Sequence, residues 1–308
     1  MVDILVVGGG PAGMTAALYA LRNGKSVLVI EKNGFGGQIT YSPKVENYPG
    51  TMQMSGNEFA DHLLEQILAH GAEIEFEKVT SVTVLPNGTK KVETEEGGVY
   101  EAAAVVLATG VKHRMLGLDG EQELVGEGIS FCAVCDGDFY AGQTVCVAGG
   151  GNSALQEALL LSEKCEQVII LQDLPRFTGE KRLQDVLFSR PNVKAYVNQT
   201  ITGFQTENGA LRGVVSRDRE TGEERVIPAA GLFEAIGLIP ENKPFASLCT
   251  LNEYGYFDAD ENCSTKTPGI FVAGDCRSKR IRQLTTAAAD GSAAALGACR
   301  YLDEQGKR

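Results

Sequence analysis

Basic residues are in short supply: 28 lysines and arginines stand against 40 aspartates and glutamates, a formal charge of −12. Such a chain repels polyanions, which argues against nucleic acid or an anionic membrane surface as a partner. Histidine is scarcer still. The three histidines, His62, His70 and His113, are scattered through the first part of the chain and supply no cluster for a metal. Long apolar runs are missing too. None approaches the ~20 residues that a spanning helix needs, so no membrane segment is expected. The N-terminus is apolar but has no basic leader; it carries Asp3 and breaks at Gly8-Gly9-Gly10-Pro11. It therefore reads as a strand rather than a signal peptide. Eight cysteines in 308 residues do not make a secreted disulfide framework, which belongs to short chains. What remains, 43% hydrophobic and 22% charged, is ordinary for a soluble globular enzyme, and the length predicts two domains with ample core.

Of the eight cysteines, two are close together. Cys132-Ala133-Val134-Cys135-Asp136-Gly137 is a CxxCDG hexapeptide, while Cys146, Cys165, Cys249, Cys263, Cys276 and Cys299 are solitary. A CxxC is read first as half of a zinc site or as a redox pair. Zinc needs two further ligands at similar spacing, which the chain does not supply, so no metal is expected. The redox reading is favoured over two structural cysteines. A disulfide across three positions can open and close within one turn, and Asp136 places a carboxyl group beside it for proton transfer. A reversible dithiol also calls for a reducing compartment, so a cytoplasmic location is expected.

Residues 2–7 form a β-rich run followed at once by Gly8-Gly9-Gly10-Pro11-Ala12-Gly13, a G-x-G-x-x-G turn. A helical stretch from Met14 to Asn23 and a strand from Ser26 to Ile30 follow, and the acid Glu31 lies 18 residues past Gly13. Strand, glycine turn, helix, strand and terminal acid make a dinucleotide-binding unit. The glycines let the backbone reach a pyrophosphate, the helix start favours its charge, and the acid takes ribose hydroxyls. The pattern recurs at an offset of 141 residues: a strand at 145–148, then Gly149-Gly150-Gly151-Asn152-Ser153-Ala154, a helix from Leu155 to Ser162 and a strand at 168–171. This is an internal duplication. The copies differ at one place: Gln172 stands where Glu31 is, with Asp173 one residue later.

Between the copies, 58–70 reads as an amphipathic helix with Phe59, Leu63, Leu64, Ile67 and Leu68 on one face. Residues 73–107 read as a β-meander, and 111–130 is polar enough to be a domain crossing. More strands follow over 193–238, and a second crossing near 240–244. A strand from Gly269 closes in Gly274-Asp275, and a small-residue helix from Thr285 to Leu296 ends the pattern. The fold class expected is α/β: two Rossmann-like, three-layer ββα dinucleotide-binding domains, the second inserted in the first.

Further motifs are Gly36-Gly37-Gln38, Glu46-Asn47-Tyr48-Pro49-Gly50, Ala108-Thr109-Gly110, Ala235-Ile236-Gly237, Gly274-Asp275 and Arg282-Gln283. With the two glycine turns and the CxxCDG they make the chain resemble the low-molecular-weight thioredoxin reductase family over essentially its whole length. The resemblance implies an FAD-dependent disulfide oxidoreductase and homodimer. It implies FAD binding by residues 1–112 with 243–308, and an inserted nicotinamide-nucleotide-type domain, 113–242, carrying the dithiol. FAD would lie on Gly8, Gly10, Pro11, Ala12, Gly13, Glu31, Lys32, Gly36, Gly37, Gln38, Asn47, Ala108, Thr109, Gly110, Gly274, Asp275, Arg282, Gln283 and Leu284. A nucleotide donor would use Gly149, Gly151, Asn152, Ser153, Ala154 and Asp173. Cys135 would face the flavin, Cys132 would attack the disulfide of a thioredoxin-like protein, and Asp136 would serve as the acid. The lack of any histidine beyond residue 113 argues against the larger disulfide reductases that use a C-terminal histidine base.

The sequence departs from this pattern at one site. NADPH-using members carry His-Arg-Arg-x-x-x-Arg at the end of the second unit's strand, whereas this chain has Gln172-Asp173-Leu174-Pro175-Arg176-Phe177-Thr178. Losing those charge-assisted contacts should weaken NADPH by about 2–4 kcal/mol. Arg176, Lys181 and Arg182 lie nearby, but a donor other than NADPH, either NADH or ferredoxin, is expected. A dithiol oxidase on the same scaffold and a non-catalytic flavoprotein relay are the rival readings.

Overall fold

The computed structural model describes residues 1–42 and 44–306. Its first strand, β1 (Val2–Val7), shows why the chain is layered. Ile4 and Val6 point into one core cluster and Leu5 and Val7 into another, so both faces are covered. After the glycine turn, α1 (Pro11–Arg22) starts with proline at its first position and lies on the Ile4/Val6 side. β2 (Val27–Ile30) pairs parallel with β1. α2 (Gly56–Ala69) begins in a capping box between Ser55 and Glu58. It buries Phe59, Ala60 and Ile67, but the expected face member Leu68 is 44% exposed. Nine residues after Phe59, at about 100° per residue, Leu68 falls half a turn away from it.

The expected meander is only partly one. β3 (Glu73–Glu75) pairs parallel with β2, and only β4 (Val79–Val84), β5 (Lys90–Thr94) and β6 (Val99–Leu107) run antiparallel in succession. β6 has two roles along one edge. Its first half pairs with β5 and its second half stays with the parallel strands. β7 (Val111–His113) follows it.

Contacts divide the chain into one unit of Met1–Lys112 with Pro240–Arg308 and another of His113–Ile239. Of residues 111–130, expected as a crossing, those from His113 on pack within the second unit. They form α3 (Glu121–Leu124) and β8 (Ile129–Ser130), and Leu124 and Ile129 are buried in its core. α4 (Ala133–Asp136) holds the dithiol, and β9 (Thr144–Ala148), α5 (Asn152–Ser162), β10 (Gln167–Leu171) and α6 (Lys181–Phe188) repeat the strand–helix pattern. β11 (Val193–Tyr196) is followed by an antiparallel sheet of β12 (Gln199–Glu207), β13 (Ala210–Asp218) and β14 (Glu224–Pro228), then by β15 (Gly231–Glu234). The parallel sheet runs β11-β10-β9-β15-β8. Val145 and Val147 face the helices, and Cys146 and Ala148 face the antiparallel sheet, so this unit is a three-layer ββα sandwich.

β16 (Leu238–Pro240) follows β15. The chain then returns to the first unit, where β17 (Ile270–Val272) extends the parallel sheet beside β6. The Gly269–Asp275 strand expected here is shorter than that, because Gly274, at φ +82, turns the chain into a short 3-10 segment through Cys276. α7 (Leu284–Gln305) outruns the expected Thr285–Leu296: buried Ala298 and Cys299 continue its apolar stripe. Its small residues permit close packing, and a Cβ on Gly291 would overlap the Ala12 carbonyl oxygen of α1.

Candidate active site

Cys132 and Cys135 are joined in a disulfide with Cα atoms 5.3 Å apart. Cys132 caps α4, so the bond closes over one helical turn: Asp136 N donates to Cys132 O (3.0 Å) and Cys135 N to Cys132 Sγ (3.2 Å). Buried Ser130, at the end of β8, links cysteine to acid. Its hydroxyl accepts from Cys132 N (3.1 Å) and donates to Asp136 Oδ2 (2.6 Å). Asp136 Oδ1 is buried with no hydrogen-bond partner among the described residues. Burial raises the Asp136 carboxyl above its ordinary range, and the Ser130 hydrogen bond only partly offsets that rise. A carboxyl held this way favours the protonated form that a thiol-exchange acid needs. Nearby Tyr140 is pushed up to about 12 by burial and by the charges of Asp136 and Glu127.

In the first unit the glycine turn is built for backbone approach. Gly8, at φ +108, lies against the Ala108 carbonyl, which a Cβ there would overlap. Gly10 caps α1 and has no side chain to offer, so the start of that helix is left to a ligand. Gly36 N donates to Gly9 O (2.9 Å), and Gly37 packs against the Cα of Gly10. Pro11, Ala12 and Gly13 open α1, and Gln38 is exposed in the 3-10 turn after Gly37. Glu31 reaches back to accept from Gly9 N (2.6 Å) and from Asn33 N (2.9 Å). Lys32 pairs with Glu241.

Thr109 hydroxyl donates to Asn242 Oδ1 (2.8 Å), placing Ala108-Thr109-Gly110 beside the returning chain. Asn47 Nδ2 donates to Gln283 Oε1 (3.4 Å), Gln283 caps α7, and Leu284 is its first residue. Gly274 N donates to Asp290 (3.1 Å), and Arg282 donates to the Asp275 carbonyl (3.3 Å) while stacking on Tyr256. Asp275 Oδ1 is buried and ion-paired with Lys279 Nζ (3.4 Å), and burial raises its carboxyl while the lysine opposes the rise. Glycines that bring the backbone close, a side-chain-free helix start and an acid at the end of β2 fit a flavin nucleotide.

In the second unit Gly149, at φ +119, lies against the Ala235 carbonyl (2.6 Å from an added Cβ), and Gly151 caps α5. Asn152 and Ser153 are exposed in its first turn, and Ala154 is buried. Asn152 is already engaged: its Oδ1 accepts from Glu180 N (2.7 Å). Gln172 is buried over Gly150 and donates to Arg176 O (3.2 Å). Asp173 is exposed, and its carbonyl accepts from Arg219 (2.9 Å).

The family described as pyridine nucleotide-disulphide oxidoreductase matches residues 2–291. The chain belongs to it. A thioredoxin reductase of Bacillus subtilis is 38% identical over 302 residues, covering 98% of this chain and 95% of that protein. One from Listeria innocua is 37% identical, with 98% and 94% covered. The crystal structure of thioredoxin reductase from Streptococcus pyogenes matches with a TM-score of 0.93 at 36% identity, covering 99% of each chain. Within the pyridine nucleotide-disulphide oxidoreductases the chain thus falls in the low-molecular-weight thioredoxin reductase branch, as an FAD-dependent disulfide oxidoreductase with two Rossmann-like domains. Among the described residues no helix is long and apolar enough to cross a membrane, and no group of three or more metal-ligating side chains assembles.

Several residues at these sites escape a reading of the sequence. Ser130 precedes the motif, and only the fold shows its hydroxyl bridging Cys132 and Asp136. Asn242 is fully buried and donates to the carbonyls of Gly255 and Cys276 as it accepts from Thr109. Asp290 anchors Gly274, Arg277 and Lys279 from α7. Glu157 accepts from Ala133 N, between the two cysteines. Its spacing in α5 does not separate it from its neighbour Gln156, which is exposed.

Proposed function

We propose that this protein is a thioredoxin-disulfide reductase whose electron donor is not NADPH. The observation that carries the reading is the Cys132–Cys135 disulfide tied through Ser130 to a buried carboxyl. FAD would be held by Gly8, Gly10, Pro11, Ala12 and Gly13 at its pyrophosphate and by Glu31 with Lys32 at its ribose. Gly36, Gly37, Gln38, Asn47, Ala108, Thr109 and Gly110 would line it, with Asp275 beside Gly274 and Arg282, Gln283 and Leu284 beyond. Bound FAD supplies the two-electron reductant for the disulfide.

The residues then act in turn. Once reduced, Cys132 attacks one sulfur of the partner's disulfide as thiolate and forms a mixed disulfide. Asp136 gives its proton to the sulfur that leaves. Cys135 then attacks Cys132, which releases the reduced partner and closes the Cys132–Cys135 bond again. A buried acid with a raised pKa is suited to this donation at neutral pH. Replacing Cys135 with Ser should reduce thioredoxin turnover to background.

The donor is the finer part of the reading. Gly149, Gly151, Asn152, Ser153 and Ala154 make a turn that could serve a nucleotide or serve packing alone. The arginines that hold a 2′-phosphate are missing, and exposed Asp173 would repel one while suiting ribose hydroxyls. NADH or ferredoxin is therefore the donor we favour. We take the working enzyme to be a cytoplasmic homodimer acting on a thioredoxin-like protein. These two points rest on the family resemblance and on the compartment that a reversible dithiol requires.

The test is to mix oxidised, flavin-loaded protein anaerobically with NADPH, NADH or reduced ferredoxin and follow flavin absorbance. Rapid bleaching by NADPH overturns the donor proposal. Bleaching by NADH alone assigns Asp173 to the ribose, and bleaching by ferredoxin alone makes the second unit a dithiol carrier. Steady oxygen consumption with small dithiols, without turnover of oxidised thioredoxin, would replace the reductase reading by a dithiol oxidase.

A further inference from the structure

The dithiol turn is held from two sides. Ser130 and Asp136 hold it at Cys132 N, and Glu157 holds it at the next amide, Ala133 N. Glu157 projects from α5, the helix that follows the second glycine turn, and is half-buried. The two carboxyl groups, Asp136 and Glu157, are close enough that the charge of one raises the proton affinity of the other. One acid suffices to protonate a leaving sulfur, so the second carboxyl calls for an explanation. We propose that Glu157 is a positioning residue of the dithiol centre that also stores the second proton taken up when the disulfide is reduced. This rests on the reading of Cys132/Cys135 as the redox pair.

The balance is as follows. Two electrons delivered through the flavin break the Cys132–Cys135 bond. One proton converts Cys135 to a thiol, and the second goes to the Glu157 carboxylate, which leaves Cys132 as a thiolate beside an uncharged acid. Oxidation by the partner disulfide returns both protons: the partner becomes a dithiol, the Cys132–Cys135 bond re-forms, and Glu157 is ionised again. Asp136 relays the proton and is unchanged over the cycle. A Cys132 thiolate and a Glu157 carboxylate are thus not both charged in the reduced state, which is the physical reason for the arrangement.

The surroundings of Glu157 support this. Burial pushes its carboxyl up to about 7, the Ala133 N–H opposes the rise, and the Asp136 charge adds to it. On the α4 side it meets Ala133 N and the charge of Asp136; Tyr140 lies on the 3-10 turn after α4, where Asp138 pairs with Lys164 from just past the end of α5. Glu127 acts on Tyr140. The strands and the helix against α5 contribute Val145, Val147, Val168, Ile170, Leu183 and Leu187.

The experiment equilibrates the flavin-loaded enzyme with dithiothreitol and its oxidised form between pH 7 and 8.5, with alkylation to count reduced Cys132 and Cys135. Dithiothreitol brings two protons, so an enzyme that takes up both gives a pH-independent equilibrium constant. Glu157→Gln keeps an acceptor for Ala133 N–H but cannot titrate. Its equilibrium constant should rise about 10-fold per pH unit over this range, because only one proton is then taken up. Its thioredoxin turnover should lose the inflection near neutral pH. Glu157→Leu, which also loses the hydrogen bond, should show the same pH slope with slower turnover. An equilibrium for Glu157→Gln that is flat like that of the parent overturns the proposal and leaves Glu157 a purely structural acceptor. If the parent itself shows no couple between Cys132 and Cys135, with Cys135→Ser as control, the redox reading fails instead.

Discussion

The two glycine turns were built from one plan and now do different things at the ends of their second strands. In both, the first glycine lies on the carbonyl of a strand-ending alanine, Ala108 or Ala235. In both, the chain after the second strand returns to the middle glycine: Gly36 N donates to Gly9 O, and Thr178 N donates to Gly150 O (2.8 Å). The difference is the side chain that meets that glycine. Glu31 accepts from Gly9 N at the edge of the turn, whereas Gln172 covers Gly150 and donates to Arg176 O. A duplicated backbone thus keeps its shape through packing while one side-chain change alters what meets the middle glycine.

The largest effect should come from breaking the packing itself. A Cβ on Gly13 would overlap Gly8 O, whereas Ala154, its counterpart, already carries one. Gly13→Ala should cost about 3 kcal/mol or more and give protein that does not retain flavin. Ala154→Gly should cost about 1 kcal/mol and leave flavin content unchanged. Thermal melts and the flavin-to-protein absorbance ratio measure both, and equal losses at the two sites would refute the asymmetry.

The next effect concerns the ligand. Gln172→His, Asp173→Arg and Leu174→Arg together restore the positive strand end that NADPH-using members have. KM for NADPH should fall about 10- to 100-fold, since each charge-assisted contact contributes roughly 1.5–3 kcal/mol before losses to solvent. No change would mean that other cations, Arg219 or Arg176, already serve the phosphate.

How far the fold could be read from the sequence follows from what fixed it. The glycine turns and the CxxC were legible because backbone approach and a one-turn disulfide demand particular residues at particular spacing. Leu68 was misplaced because its apolar side chain was grouped by type although it lies half a turn from Phe59, and α7 runs past Leu296 because Gly297 packs on Phe271 and buried Ala298 and Cys299 continue the stripe. Ser130, Asn242, Asp290 and Arg219 were invisible for another reason: each acts on a group brought to it by the fold, and Arg219 reaches Asp173 across 46 positions. Nothing local marks such a residue.

Glu234 is the extreme instance, and it sharpens the comparison most finely. It ends β15 beside the second glycine turn and is buried against the Glu121 carboxyl, with which it shares a side-chain hydrogen bond. Glu31 in the first unit is buried as well, yet it is satisfied by two backbone amides. Glu121, the neighbour of Glu234, already accepts from the amides of Leu116, Gly117 and Leu118. Burial first, and then the Glu121 carboxyl, push Glu234 up to about 9. Its folded-state pKa is thus above the unfolded value of about 4.3, and the folded protein holds a proton that the unfolded chain releases. Stability contributed by the neutral acid is fully present below about pH 4.3 and is lost as pH rises toward 9. Glu234→Gln removes that loss. The variant should gain about 2 kcal/mol at pH 8, roughly 4–8 °C in melting temperature, and gain much less at pH 5. Melting scans at the two pH values decide it, since an equal gain at both would mean that folding does not raise the Glu234 carboxyl.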